Sequence, residues 1–325
     1  MFCLGVAVII GLCSNGALSQ TMTASAPAPK SADPVPVGLV APEEQNAVEG
    51  AAEEPAEPPG RPFSLGVTYY LFSDYVFRGV NFSEYEGEGR ERLNHQMTTS
   101  LGIPIGQGGK YGTFGFDTFF EWYEAQKQIN PETGGQNLQE VDYTLRWSYQ
   151  LEPIATKLTL GWTDYTFPNA NAVRTNEVFV KFEHNDAWMW RGLGYKGEEG
   201  ILNPSLFFAQ DVRVSDGYWV ELGINHPFKL SKNLTLTPKM TFALDGGYLD
   251  PLLHGGEGQK SLEYAYTQYG VDTTYDLTEV LHLPPWAGTV FVSGQLYFNQ
   301  ASAVEKQLGI IKDEFYGGMA LGWSW

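Results

Sequence analysis

From residue 63 to the end of the chain, apolar and polar residues alternate with a period of two. Val141, Tyr143, Leu145, Trp147, Tyr149 and Leu151 form one face of a run whose other face is Asp142, Thr144, Arg146, Ser148 and Gln150. Leu234, Leu236, Pro238, Met240, Phe242 and Leu244 repeat the pattern with Thr235, Thr237, Lys239 and Thr241 between them. The final run sets Phe315, Gly317, Met319, Leu321, Trp323 and Trp325 against Glu314, Tyr316, Gly318, Ala320, Gly322 and Ser324. Successive side chains of a strand point to opposite faces, so each run predicts a strand with one apolar face. Such runs fall near 63–79, 92–104, 111–123, 138–151, 156–166, 175–185, 204–212, 218–228, 233–244, 262–276, 288–298 and 314–325. The Trp- and Gly-rich stretch 186–203 fits poorly and could hide another strand pair, so the expected count is about 12, within 10–14.

Most of these strands reach nine residues or more. Strands of soluble proteins cluster at about 5–6 residues, whereas tilted bilayer-spanning strands need ~9–11. A soluble sandwich would hide the apolar faces against each other. A closed barrel in lipid turns them outward and leaves no unpaired edge. The barrel is favoured because the polar faces carry charge at mid-strand: Asp117, Glu121, Asp142, Arg146, Lys181, Glu183, Glu221 and Lys239. Aromatics also gather at strand ends, as at Trp122, Tyr123, Trp162, Tyr165 and Tyr275, where an interfacial girdle requires them. The fold class read from the sequence is therefore all-β, a transmembrane antiparallel barrel. An even strand count puts both termini on one side and makes 80–91, 124–137, 167–174, 213–217, 245–261 and 299–313 the loops of the other.

The remainder of the chain is of a different kind. Cys3 to Leu12 are apolar but too few to span a bilayer, and Ala17-Leu18-Ser19 supplies a small-x-small site, so residues 1–19 read as a signal peptide, although no Lys or Arg precedes the apolar run. A lipoprotein anchor at Cys13 is the rival, with Leu12 standing where a small residue is wanted. Both cysteines lie in this segment, so a chain cleaved before Gln20 has no thiol for disulfide or zinc chemistry. Residues 20–62 hold nine of the chain's 19 prolines, with seven acids against Lys30 and Arg61. Without a hydrophobic period they predict a disordered periplasmic linker, a spacer or an arm toward cell wall or a periplasmic protein.

The net charge of −18 disfavours nucleic acid, whose phosphates call for clustered Lys and Arg. Mean hydropathy of −0.23 excludes a bundle of membrane helices. Catalytic chemistry has little to stand on. None of His95, His184, His226, His254 and His282 lies in a His-x-Ser pair, no metal-ligand spacing occurs, and the glycine runs 106–112 and 194–200 lack phosphate-loop spacing. The reading is a non-enzyme without a cofactor.

Phe72-Ser73-Asp74-Tyr75-Val76-Phe77-Arg78-Gly79-Val80 resembles the S-x-Y-x-x-R-G signature in the first strand of TorF-type porins and, more loosely, of the MltA-interacting MipA barrels. Asn203 to Phe208, with Asp211 and Gly217 to Glu221, is similar to a paired-strand pattern in the middle of such proteins. The resemblance implies an outer-membrane barrel and a pore of undefined substrate. The last strand, ending on Trp323 and Trp325, resembles the signal read by the barrel-assembly machinery of Gram-negative-type bacteria, and its expected surroundings are outer-membrane lipid.

The expected lumen is lined by Asp74, Arg78, Asp117, Glu121, Asp142, Arg146, Lys181, Glu183, Glu221 and Lys239. On a continuous first strand Asp74 and Arg78 share the inward face about 13 Å apart, too far to pair, which directs Arg78 toward Glu121 or Asp142. Residues 63–325 carry 18 basic and 31 acidic groups, so a channel for small solutes should prefer cations weakly. Eight strands fill their bore with side chains and 16–18 leave an aqueous one, so twelve predict a narrow or gated passage. The alternatives are a structural or tethering barrel with no open pore, and a lipid-facing outer-membrane enzyme.

Overall fold

The computed structural model describes residues 62–83, 93–123, 138–168, 173–197, 199–249 and 261–325. The expected signal peptide, almost all of the expected linker, and much of the expected loops 80–91, 124–137, 167–174 and 245–261 lie outside them. Twelve long strands form one antiparallel ring in chain order. They are β1 (Ser64–Phe72), β4 (Asn94–Pro104), β5 (Thr113–Tyr123), β6 (Leu138–Leu151), β7 (Thr156–Thr166) and β8 (Thr175–His184). The ring continues with β9 (Ser205–Asp211), β10 (Tyr218–Asn225), β12 (Leu234–Gly246), β13 (Glu263–Asp276), β14 (Thr289–Ala301) and β15 (Glu314–Ser324). The two-residue strands β2 (Val76–Phe77) and β3 (Val80–Asn81) pair with each other inside the ring, and β11 (Phe228–Lys229) extends one turn.

Closure comes from the first and last strands. Gly66 faces Ser324 and Phe72 faces Gly318, and Leu65 and Trp325 exchange backbone hydrogen bonds of 2.8 and 2.7 Å. The Trp323 and Trp325 indoles donate to the carbonyls of Ala287 and Trp286, each at 2.8 Å, fixing the last strand to the turn before β14. No backbone edge is left along the ring, which is the arrangement a solvent without hydrogen-bonding partners demands. The period-two pattern sets the two faces. Val178 and Leu160 are exposed on the outside, whereas Glu177 and Thr163, on the same strands, are buried within. Outward Val67, Phe114, Leu145, Leu222, Val271, Leu296 and Leu321 continue an apolar band around the ring. A water-facing surface seldom tolerates contiguous apolar patches beyond a few hundred Å², so this is the outer face of a transmembrane barrel.

Three expectations need correction. The first strand does not run to residue 79; it stops at Phe72, and Ser73 to Ser83 turn into the bore. Arg78 and Gly79 take left-handed backbone angles, φ 46° and 80°, which break an extended strand and form the β2–β3 turn. Among its described residues, the stretch 186–203 holds no strand pair. It is a turn with one short helix, α1 (Ala187–Trp190), organised by Asp186, which accepts from the Trp190 indole at 2.6 Å and from the N–H of Leu202 and Asn203 at 3.1 Å. Burial pushes the Asp186 carboxyl up, but these donors outweigh it and hold it below the usual carboxylate range. Tyr165, expected in an interfacial girdle, faces the interior and is buried.

Candidate functional site: the lumen and its crossing segment

Ser73–Ser83 leaves the rim that bears the longer loops and enters the ring. Tyr75 donates its hydroxyl to Glu140 on β6 at 2.6 Å, and Arg78 pairs with Glu177 on β8 at 2.9 Å. In this ring of twelve, β8 lies five strands from β1, almost diametrically opposite. The segment therefore crosses the bore. Around it Phe77, Val80 and Phe82 pack with Trp219 of β10 and Tyr266 of β13. Tyr248 and Leu249, after β12, complete the packing with Ile310 and Ile311, which follow helix α2 (Ala303–Leu308). The fit is close. A Cβ on Gly79 would meet the Tyr266 ring at 2.7 Å and Ile311 at 3.0 Å.

Two electrostatic zones result. At the level of the crossing segment, eight carboxylates are buried: Asp74, Glu121, Glu140, Asp142, Glu177, Asp211, Glu221 and Asp245. Arg78 is the only buried basic residue among the described residues. Several of the acids are held by neutral donors. Asn94 donates to Glu121 at 2.5 Å, the Trp219 indole to Glu221 at 2.7 Å, and Asn81 to Asp74 at 3.0 Å. Asp211 accepts from the N–H of Arg213, Val214 and Ser215 at 3.0, 2.6 and 2.9 Å.

Toward the rim where β1 begins and β15 ends, the charges stand in pairs instead. Arg146 donates to Asp117 at 2.6 Å, lying across Gly115, where any Cβ would strike its side chain at 2.8 Å. Lys181 meets Glu183 at 3.0 Å, and Lys239 meets Asp272 at 2.8 Å with its ammonium 4.7 Å from the centre of the Tyr297 ring.

The structure thus brings Asp74, Arg78, Glu121, Asp142 and Glu221 together at the crossing, and keeps Asp117, Arg146, Lys181, Glu183 and Lys239 in the paired zone. Arg78 pairs with Glu177, across the ring from β1, because its segment turns inward instead of continuing along the wall. Sequence reasoning missed Glu177 and Asp272. The same alternation that assigned Lys181 and Glu183 to the interior also assigns Glu177, four residues before Lys181 along β8, and Asp272 follows from β13 in the same way.

No protein-family description matches the chain, and a search of characterised proteins finds no matching relative. Among solved structures, the chain is similar to an outer-membrane channel from Pseudomonas putida F1, at 11% identity and a TM-score of 0.46, over 83% of this chain and 98% of that one. It is also similar to the NanC porin, at 10% identity and a TM-score of 0.41, over 80% of this chain and 98% of that one. Outer-membrane phospholipase A from Escherichia coli is a third, at 11% identity and a TM-score of 0.36, over 80% of this chain and 92% of that one. Similarity this distant brings no substrate and no chemistry to this chain.

Proposed function

We propose that the protein is an outer-membrane channel for small solutes, weakly preferring cations, whose bore is gated by the segment 73–83. The observation that carries this reading is the segment's crossing of a polar-lined ring where, among the described residues, one buried guanidinium stands among eight buried carboxylates that include Glu121, Glu140 and Glu177. Low-dielectric walls focus such an excess of negative charge, attracting cations and repelling anions. The resemblance of Ser73 to Gly79 to the TorF-type signature agrees with a pore-forming family. In this reading both termini are periplasmic and the acidic linker is a spacer there.

A second reading, a structural barrel without an open pore, is favoured by the same segment, which packs tightly across the bore. Single-channel recording of refolded protein in a planar bilayer separates the two. The channel reading expects brief unitary openings and a cation-directed reversal potential in a KCl gradient. A silent membrane containing folded barrels supports the structural reading.

A further inference from the structure

Arg78 is held in a way that a simple stopper does not need. Its guanidinium carbon lies 3.9 Å from the centre of the Tyr248 ring and 5.4 Å from that of Trp219, with Phe77 of its own segment at 4.9 Å. Its Nη2 donates to Glu177 at 2.9 Å, and the Tyr248 hydroxyl donates to the same carboxylate oxygen at 2.7 Å, which fixes the acid beside the ring. Glu221 is fixed in its turn by the Trp219 indole. Trp219 and Tyr248 are wholly buried, and so is the Arg78 side chain.

We propose that Glu177, Trp219 and Tyr248 form a recognition site for solutes bearing a guanidinium or alkylammonium group, which Arg78 occupies as an internal stand-in until such a solute displaces it. This rests on the channel reading and names its solute class. Two aromatic faces and an oriented carboxylate are the elements that bind organic cations by ring quadrupole and charge together. The argument for exchange is energetic. A plug meant only to fill space is built more cheaply from apolar side chains, since a buried ion pair seldom adds net stability. Withdrawing Arg78 alone leaves Glu177 as an uncompensated buried charge, so the plug stays shut. Withdrawing it against an incoming cation leaves Glu177 paired throughout. A neutral or anionic solute offers no such replacement.

The test uses the full chain refolded in detergent, with guanidinium chloride as probe and urea as its neutral isostere. By equilibrium dialysis Arg78→Gln should bind guanidinium saturably in the millimolar range, about tenfold more tightly than the unaltered protein, and urea not at all. Adding Glu177→Gln should abolish that binding. A folded Arg78→Gln protein that binds guanidinium no better than the unaltered chain, or binds urea equally, overturns the proposal. A measurement on the natural chain guards against a variant that fails to refold: millimolar guanidinium should raise the open probability in a bilayer at constant ionic strength. In a barrel that conducts, no rise, or the same rise in Glu177→Gln, overturns the proposal as well. Saturable binding in a silent barrel sustains the site and defeats only the channel reading; conductance without binding does the reverse.

Discussion

Tyr75 and Glu140 are joined by a 2.6 Å hydrogen bond that spans 65 residues of sequence and both sides of the gap between crossing segment and wall. Both side chains are buried, so the bond is exchanged with no water when the segment is in place. Tyr75→Phe removes the donor and leaves a buried acceptor bare, at a cost of about 1–3 kcal/mol. The seated segment is the state that bears this cost. Single-channel recordings of Tyr75→Phe should show openings at least several times more frequent than those of the unaltered protein, with unchanged unitary conductance. Unchanged opening frequency would mean that this bond does not hold the gate.

Selectivity should answer to the two zones differently. Asp117 is matched by Arg146, so Asp117→Asn strips the partner from an inward-facing guanidinium and adds net positive charge to the paired zone. The reversal potential in a KCl gradient should move toward chloride. Glu121→Gln removes a negative charge from the acidic zone, where Asn94 donates to it, so the cation preference should weaken. Both shifts should shrink in high salt as the screening length falls from ~10 Å at 0.1 M to ~3 Å at 1 M.

Barrel closure depends on the last three residues. Deleting Trp323–Trp325 removes two indole anchors, the exchange of backbone hydrogen bonds between Leu65 and Trp325, and two or more rungs of the β1–β15 ladder. The truncated chain should lose the fast-migrating form that unboiled barrels show on SDS gels, and its level in the outer-membrane fraction should fall sharply. A soluble folded monomer in the periplasm would contradict the membrane reading.

The turn between β8 and β9 should be acid-sensitive. The Asp186 carboxyl titrates below its ordinary range when folded, so its contribution is complete above the unfolded value of ~3.9 and disappears as pH falls through the lower, folded one. Hydrogen exchange across 187–197 should accelerate below about pH 4. Asp186→Ala, which loses charge-assisted bonds worth about 2 kcal/mol, should show the fast exchange already at neutral pH.

Strand positions were legible because an apolar solvent outside and a polar lumen inside impose the same two-residue period on every strand. β6 and β7 fall on the expected residues, and β12 and β13 within two. The end of β1 was not legible. Tyr75, Val76 and Phe77 read as more strand, but Tyr75 and Phe77 are buried in one cluster with Trp219, Tyr248 and Ile311 and Val76 in another with Tyr297 and Tyr316, all more than 140 residues away. Only the left-handed pair Arg78 and Gly79 marks the break locally, and Arg is not a residue that announces such a turn. The stretch 186–203 misled for a related reason: its indoles resemble strand aromatics, but Trp190 serves as a donor to Asp186.

The crossing segment has a bearing on the order of assembly. It is made early in the chain, yet Arg78 finds Glu177 at a sequence separation of 99, and Ser73 accepts from the amide of Gly317 at one of 244. Contacts of such separation carry a large closure entropy and come late on a folding path. Until the last strand is zipped to the first, the segment lacks part of the wall against which it seats. Its insertion is thereby a checkpoint: a barrel that has not finished folding cannot be shut, and a shut one has already proved its seam.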